Sequence, residues 1–410
     1  MNKPLLGTVN LPGSKSESNR ALMMTAYGGF PLEVENLSEA HDTVLLAKLL
    51  ERIRSSNPSH EVVLDCEDAG AVARFQMTYL AGKPGNWLLT GTTRLCERPR
   101  APLITTLRQL GADINCSVTE GCLPVGIKGK YIRGGDVSLD ASQSSQFATS
   151  LLMAAPTWEK GLRLMLKTEP VSEPYLNMTI AMMDYFGVRV FRDGQTITVN
   201  PQPYQFRKFR VAPDWSAASF WYEWVALSDG GGLFLNGLMA NSLQGDSVVS
   251  DRFAKLGVKT VFTENGVCIS KEEPTSFQLN EPIVFDFKTT PDLFPSIFTT
   301  CIALHINSVF KGISTLYNKE SDRINSLITE LSRIYTFINI VYDDKIIIEK
   351  SSLTIGYEDS KKVVFNTYHD HRIAMALAAL APRFGAIARD NPSVVNKSYP
   401  TFWNELKKLL

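Results

Sequence analysis

Six times along the chain, a short loop of small, charged or hydroxyl-bearing residues runs straight into an apolar, alanine-rich stretch with helical periodicity. These openings lie near Ser16, Gly70, Ser145, Ser216, Asp292 and Asp370, spaced 54, 75, 71, 76 and 78 residues apart. Each has a companion stretch with apolar residues at helical spacing. The companions are Asp42–Leu50, Leu103/Ile104/Leu107/Leu110, Leu176/Ile180/Met183, Val248/Val249/Phe253/Leu256, Ile324/Leu327/Ile328/Leu331 and Pro400–Leu410. Three of them end at a glycine leading into a β-like run, at Gly111, Gly187 and Gly257, the pattern of a helix C-cap followed by a strand. The chain therefore reads as six copies of a unit with two helices and several strands. The polar stretches Glu51–His60 and Lys271–Ser276 are predicted to be exposed connections.

At 410 residues the chain exceeds one ordinary core, so two domains are expected. Lys plus Arg and Asp plus Glu number 42 each, which leaves no overall field to attract nucleic acid or an acidic membrane. Any basic site must be local. The six cysteines form no C-x-x-C pair, and no apolar run is long enough to span a bilayer. A cytoplasmic location is expected.

Helix N-termini carry unpaired N–H groups and the positive end of the helix dipole, which suits phosphate or carboxylate. Here those ends also hold cations and hydroxyls: Lys15, Ser16 and Arg20 at the first opening, and Ser144, Ser145 and Gln146 at the third. Glu97-Arg98-Pro99-Arg100 offers two arginines ahead of a helix, and Arg372 begins the last opening. Asp292 reads as an N-terminal helix charge or, among cations, as a general base. His369 and His371 have no companion set with metal-ligand spacing, so no metal is expected. No Walker loop, dinucleotide-binding glycine motif or Ser/His/Asp set occurs. Catalysis, if present, would need no cofactor and would rely on positioning, cations and acid–base groups.

Eight motifs, in order, resemble the 5-enolpyruvylshikimate-3-phosphate synthase family. They are Leu11-Pro-Gly-Ser-Lys-Ser-Glu-Ser-Asn-Arg-Ala-Leu22, Glu97-Arg98-Pro99, Ser144-Ser145-Gln146-Phe147, Ser172-Glu-Pro-Tyr175, Pro291-Asp292, Lys319-Glu320-Ser-Asp-Arg323, Asp370-His-Arg372-Ile-Ala-Met375 and Lys397-Ser-Tyr-Pro400. The resemblance implies an α/β (α+β) fold of two similar domains, each of three βαβαββ units arranged as an inside-out barrel, with an interdomain active-site cleft. It implies one domain from 1–13 plus 215–410 and an inserted domain from 14–214, with hinges near 13–15 and 213–216. It also implies transfer of the enolpyruvyl group of phosphoenolpyruvate to the 5-hydroxyl of shikimate 3-phosphate by a monomer.

Residue roles follow from the same resemblance. Ser144, Ser145 and Ser172 would bind the phosphate of shikimate 3-phosphate, Ser16 and Arg20 its carboxylate, and Tyr175 would pack beside it. Gln146 would touch both ligands. Lys15, Gly70, Arg98, Arg323, Arg372 and Lys397 would surround phosphoenolpyruvate. Asp292 and Lys319 would contact the reacting hydroxyl, with Asp292 as leading base. Glu320, aided by Lys15, would handle protons at the enolpyruvyl methylene. The sequence departs from the family pattern at Ala71, where a threonine is usual, and at Trp215, where a small residue is usual. Two alternatives are a UDP-N-acetylglucosamine enolpyruvyl transferase and a catalytically silent ligand-binding relative.

Overall fold

The computed structural model describes residues 4–57, 59–272, 281–342, 344–354, 363–384 and 388–410. Contacts divide the chain into a first unit, Met1–Ser14 with Ala212–Leu410, and a second unit, Lys15–Val211. The chain enters the first unit with strand β1 (Leu5–Asn10) and then passes into the second. Where it leaves and returns, Gly13 and Pro213 form an antiparallel bridge. Ser14 N–H donates to Ala212 C=O at 2.8 Å and Asp214 N–H to Pro12 C=O at 3.0 Å.

The second unit runs α1 (Lys15–Gly28), β2 (Val34–Glu35), α2 (His41–Ser55), β3 (Glu61–Asp65), α3 (Gly70–Ala81), β4 (Gly85–Thr90), α4 (Ala101–Gln109), β5 (Asp113–Cys116), β6 (Val125–Gly129), β7 (Gly135–Leu139), α5 (Ser145–Ala154), β8 (Leu162–Leu166), α6 (Glu173–Tyr185), β9 (Val190–Asp193), β10 (Thr196–Val199) and β11 (Phe209–Arg210). Two four-stranded sheets form, in the orders β3-β4-β6-β5 and β7-β8-β10-β9. In each, the first pair is parallel and the last strands make an antiparallel hairpin. That is a complete βαβαββ unit. The third set is permuted: β11 pairs in parallel with β2, and α1 and α2 flank β2 in sequence. Only residues 56–60 separate α2 from β3, so this set is reduced to βαβα.

The first unit continues with α7 (Trp215–Leu227), β12 (Gly231–Asn236), α8 (Val249–Ala254), β13 (Val258–Thr263), β14 (Gly266–Lys271), β15 (Ile283–Asp286), α9 (Phe294–Ala303), β16 (Ser308–Lys311), α10 (Arg323–Leu331), β17 (Tyr335–Tyr342), β18 (Lys345–Leu353), β19 (Val364–Phe365), α11 (His371–Ala378), β20 (Ala388–Arg389) and α12 (Phe402–Leu409). Its sheets are β1-β12-β14-β13, β15-β16-β18-β17 and the parallel pair β19-β20. Here too, among the described residues, two sets are complete and the third stops at βαβα.

The sequence openings become inner helices. In the second unit α1, α3 and α5 pack on one another; in the first, α7, α9 and α11 do. Alanine and hydroxyl side chains at these starts let helix backbones approach, and nearly every residue of α5, α7, α9 and α11 is buried. Strands such as β8 alternate buried and exposed positions, as sheets wrapped around a helical interior must. Trp215 falls in that interior at 1% exposure, its ring 6.3 Å from Phe262, so its bulk is taken up by the core. One expectation needs correction. Glu51–Ser55 is not a connection but the last turn of α2, with Ile53 buried on the face of Leu46, Leu49 and Leu50. The stretch Lys271–Ser276 lies outside the described residues from 273 onward.

The first unit also has an aromatic core. Phe298 is fully buried, 4.9 Å from the Phe294 ring and 5.1 Å from Phe310. Phe298→Ala is expected to cost about 3–5 kcal/mol of stability, read as a lowered urea midpoint; an unchanged midpoint would contradict this packing.

Candidate functional site

In the second unit the helix starts are joined by a seam of hydroxyls and amides. Arg20, on the first turns of α1, is 3% exposed. Its Nε donates to Thr179 Oγ1 at 2.8 Å, its Nη1 to Ser16 C=O at 2.8 Å and its Nη2 to Tyr175 C=O at 3.2 Å. Burial pushes its pKa down to about 10, opposed by Tyr175 and Glu17, so it stays cationic near neutrality. Thr179 also meets Thr149 of α5 at 3.3 Å. One residue along, Ser150 Oγ accepts from Thr78 of α3 at 3.0 Å. A turn earlier on both helices, Arg74 Nη1 donates to Gln146 Oε1 at 2.7 Å. Arg74–Gln146 and Thr78–Ser150 step together, so α3 and α5 run parallel with their N-termini side by side. Ser144 caps α5 by accepting from Gln146 N–H at 3.2 Å.

The start of α3 carries the cations. A methyl group on Gly70 would lie 2.8 Å from Arg98 Nη1 and 3.1 Å from Arg74 Nη1, so two guanidinium forks reach this helix end because no side chain stands there. Arg100 does not join them. It is fully buried, and its Nη1 donates to Leu95 C=O at 3.0 Å and Arg98 C=O at 2.7 Å. Of the two arginines in Glu97-Arg98-Pro99-Arg100, only Arg98 faces Gly70; Arg100 holds the loop in place. Lys15 Nζ sits 3.1 Å from the buried carboxylate of Asp42.

The first unit assembles its residues around a buried ion network. Arg323, at 1% exposure, opens α10. Its Nη1 donates to Asp292 Oδ1 at 2.9 Å, its Nη2 to Glu320 Oε2 at 3.0 Å and its Nε to Asp370 Oδ2 at 2.9 Å. Arg372 Nη2 holds the other oxygen of Asp292 at 2.8 Å. Asp370 caps α11 through Arg372 N–H at 2.9 Å. Burial opposes the charge on Asp292, yet Arg372, Arg323 and Lys319 outweigh it and keep its pKa well below the usual carboxylate range. Carboxylates likewise raise the Arg323 pKa against its burial. Lys397 is buried at the end of the turn Pro392–Lys397, which packs on α11.

Left-handed non-glycine residues precede two of these helices. Ser172, before α6, has φ of +54°, and Tyr368 and His369, before α11, have φ of +53° and +54°. Each left-handed non-glycine residue costs on the order of 1–3 kcal/mol and persists only where its surroundings hold it. Ser172 makes no side-chain cap bond to α6.

The model of one protein family, described as EPSP synthase (3-phosphoshikimate 1-carboxyvinyltransferase), matches residues 1–406. The chain belongs to the EPSP synthase family. A 3-phosphoshikimate 1-carboxyvinyltransferase of Bacteroides fragilis (strain YCH46) is 39% identical over 408 residues, covering 98% of this chain and 94% of that protein. Another, from Syntrophobacter fumaroxidans, is 32% identical over 422 residues, covering 98% and 96%. An EPSP synthase structure from Acinetobacter baumannii shares the fold, with a TM-score of 0.75 at 22% identity over 100% of this chain and 96% of that one.

The resemblance assigned Ser16, Arg20 and Tyr175 to one ligand and Gly70 and Arg98 to the other; the structure brings Ser16 and Tyr175 to Arg20, and Arg98 to Gly70, and sets Gln146 on the neighbouring helix start. In the first unit the resemblance named Asp292, Lys319, Glu320, Arg323 and Arg372. It missed Arg74, although Arg74 lies one turn after Gly70 on the same helix. It also missed Asp42, whose place in an ordinary helix start gave no signal, and Asp370 as the shared anchor of Arg323 and α11.

The Asp292 carboxylate has a folded pKa below its unfolded value of about 3.9. The unfolded chain therefore takes up the proton first, and this contribution to stability is complete above about pH 5 and declines as pH falls. Calorimetry should show the gap in thermal midpoint between wild type and Asp292→Asn widest near about pH 6 and shrinking below about pH 4. A gap that stays constant on acidification would contradict the assignment.

Proposed function

We propose that this chain transfers the enolpyruvyl group of phosphoenolpyruvate to the 5-hydroxyl of shikimate 3-phosphate and releases phosphate. The observation that carries this reading is the grip of Arg323 and Arg372 on the two oxygens of Asp292. Two guanidinium forks aimed at one small anion are what a phosphorylated, carboxylated donor needs. They stand beside a carboxylate that can act on a hydroxyl. The family match over residues 1–406 supplies the reaction.

On this reading Ser144, Ser145 and Ser172 bind the phosphate of shikimate 3-phosphate, Ser16 and Arg20 its carboxylate, and Tyr175 lies alongside. Lys15, Arg98, Arg323, Arg372 and Lys397 hold phosphoenolpyruvate, Gly70 leaves room for its approach, and Gln146 contacts both ligands. Each phosphate brings roughly −1.5 to −2 charges at neutral pH, which accounts for the number of cations.

Asp292 and Lys319 meet the 5-hydroxyl. While two arginines hold its oxygens, Asp292 is a weak base. An arriving donor anion competes for both forks, and each bond it takes over returns basicity to Asp292. The hydroxyl oxygen then adds to C2 of the donor, its proton passes to Asp292, and Glu320, aided by Lys15, delivers a proton to the methylene carbon. The resulting ketal expels phosphate as the methyl group gives a proton back to Glu320. The Asp292 proton leaves with the product phosphate. The chain works as a cytoplasmic monomer on the same reading.

The test is phosphate release. Purified protein should liberate phosphate from phosphoenolpyruvate only when shikimate 3-phosphate is present; no release at saturating concentrations of both would overturn the reading. Lys15→Ala should lose about 10²–10³ in turnover and also lower the thermal midpoint, since it removes the cation beside buried Asp42; full activity would refute its role. Gly70→Ala should fold normally, since only the far ends of the Arg98 and Arg74 side chains must move. Its KM for phosphoenolpyruvate should rise while that for shikimate 3-phosphate stays constant; equal changes in both would count against the placement of Gly70 at the donor.

A further inference from the structure

Glu330 carries none of the roles given above, yet it is a fully buried carboxylate with four donors. Its Oε2 accepts from Arg333 Nη1 at 2.7 Å and Asn366 N–H at 3.1 Å. Its Oε1 accepts from Asn366 Nδ2 at 3.0 Å and Tyr368 Oη at 2.7 Å. Burial works against its charge, and the bonds from Asn366, Tyr368 and Arg333 overcome that and lower its pKa. Glu330 lies seven residues after Arg323 on α10. Seven residues are close to two helical turns, so both side chains project from one face, about 10 Å apart along the axis.

These two residues grip the same short segment at opposite ends. Glu330 holds Asn366 and Tyr368; Arg323 holds Asp370, which also accepts from Ser321 Oγ at 3.1 Å. Tyr368, the last residue of the first grip, and His369, between the two, are both left-handed. Two residues after Asp370 comes Arg372, its backbone N–H tied to Asp370. A left-handed pair of non-glycine residues relaxes unless both sides are fastened.

We propose that Glu330 is a positioning residue for Arg372: by holding Asn366 and Tyr368 it keeps the strained segment wound, and so fixes where the α11 start presents the Arg372 fork. It touches no substrate. The inference rests on the assignment of Arg372 to phosphoenolpyruvate made above.

Glu330→Gln is isosteric, but its amide nitrogen faces donors and half of the acceptor sites are lost. Tyr368→Phe removes a single bond and leaves the buried charge satisfied, so it tests the same idea in a chain whose folding is not at risk. Steady-state kinetics should show the KM for phosphoenolpyruvate raised about tenfold in Glu330→Gln and about threefold in Tyr368→Phe. The KM for shikimate 3-phosphate should stay within about twofold. In an Arg372→Lys background, Glu330→Gln should add less than about twofold, because its effect passes through the fork already altered.

Unchanged phosphoenolpyruvate KM in Tyr368→Phe and in folded Glu330→Gln, with a raised KM in Arg372→Lys, overturns this inference alone. So does a full additional factor in the double variant, or an equal rise for both substrates. An unchanged KM in Arg372→Lys overturns the donor-site reading and this inference with it.

Discussion

Arg323 is a guanidinium at 1% exposure, and three carboxylates compensate its charge. Removing Arg323 would leave the fully buried carboxylate of Asp370 without that cation, which costs far more than the pair contributes when intact. The positions of Asp292, Glu320 and Asp370 are therefore not independent. They come from the α9 opening, the α10 opening and the α11 cap, so a single side chain fixes the mutual placement of three chain segments. Asp292 extends the network to Arg372, and Glu330, two turns along α10, secures the approach to α11.

The second unit solves the same architectural problem with different chemistry. Its helices α3, α5 and α6 meet through Thr149, Thr179, Thr78 and Ser150, neutral groups that bond at close range without the desolvation penalty of ions. Its charged side chains are drawn to the helix starts, where Arg20 is braced by backbone carbonyls and a hydroxyl while Arg98 and Arg74 crowd Gly70. An ion-locked set and a hydroxyl-locked set thus stand on closely similar folds.

The sequence made the helix starts legible because capping is local. Ser144, Asp214, Asp322 and Asp370 each accept a backbone N–H within three residues, and such short-range chemistry leaves a mark at a fixed spacing. The apolar period marked the inner helices for the same reason, and Ile53 carried that period to the end of α2 although the polar outer face of Glu51–Ser55 concealed it. What stayed hidden was pairing at long range. Nothing local ties Arg323 to Asp370 across 47 residues, Glu330 to Asn366 across 36 or Arg74 to Gln146 across 72. Arg98 and Arg100 were equivalent on paper; only the direction of each fork separates an inward brace from a residue facing Gly70.

The sheet of the first unit joins residues made at very different times. Strand β1 pairs with β12 in the register Leu5↔Gly231, and Asn10 N–H donates to Glu405 Oε2 of α12 at 3.1 Å. During synthesis β1 waits without its partner while the whole of Lys15–Val211 emerges, and that inserted unit needs nothing translated later to complete its own sheets. The order of maturation on the ribosome is thus inverted relative to the order of the termini: the guest has all its residues before the host acquires its second strand. An edge left open that long is a template for wrong pairing, and β1 brings Leu5, Leu6 and Val9 to it, interrupted only by Gly7 and Thr8.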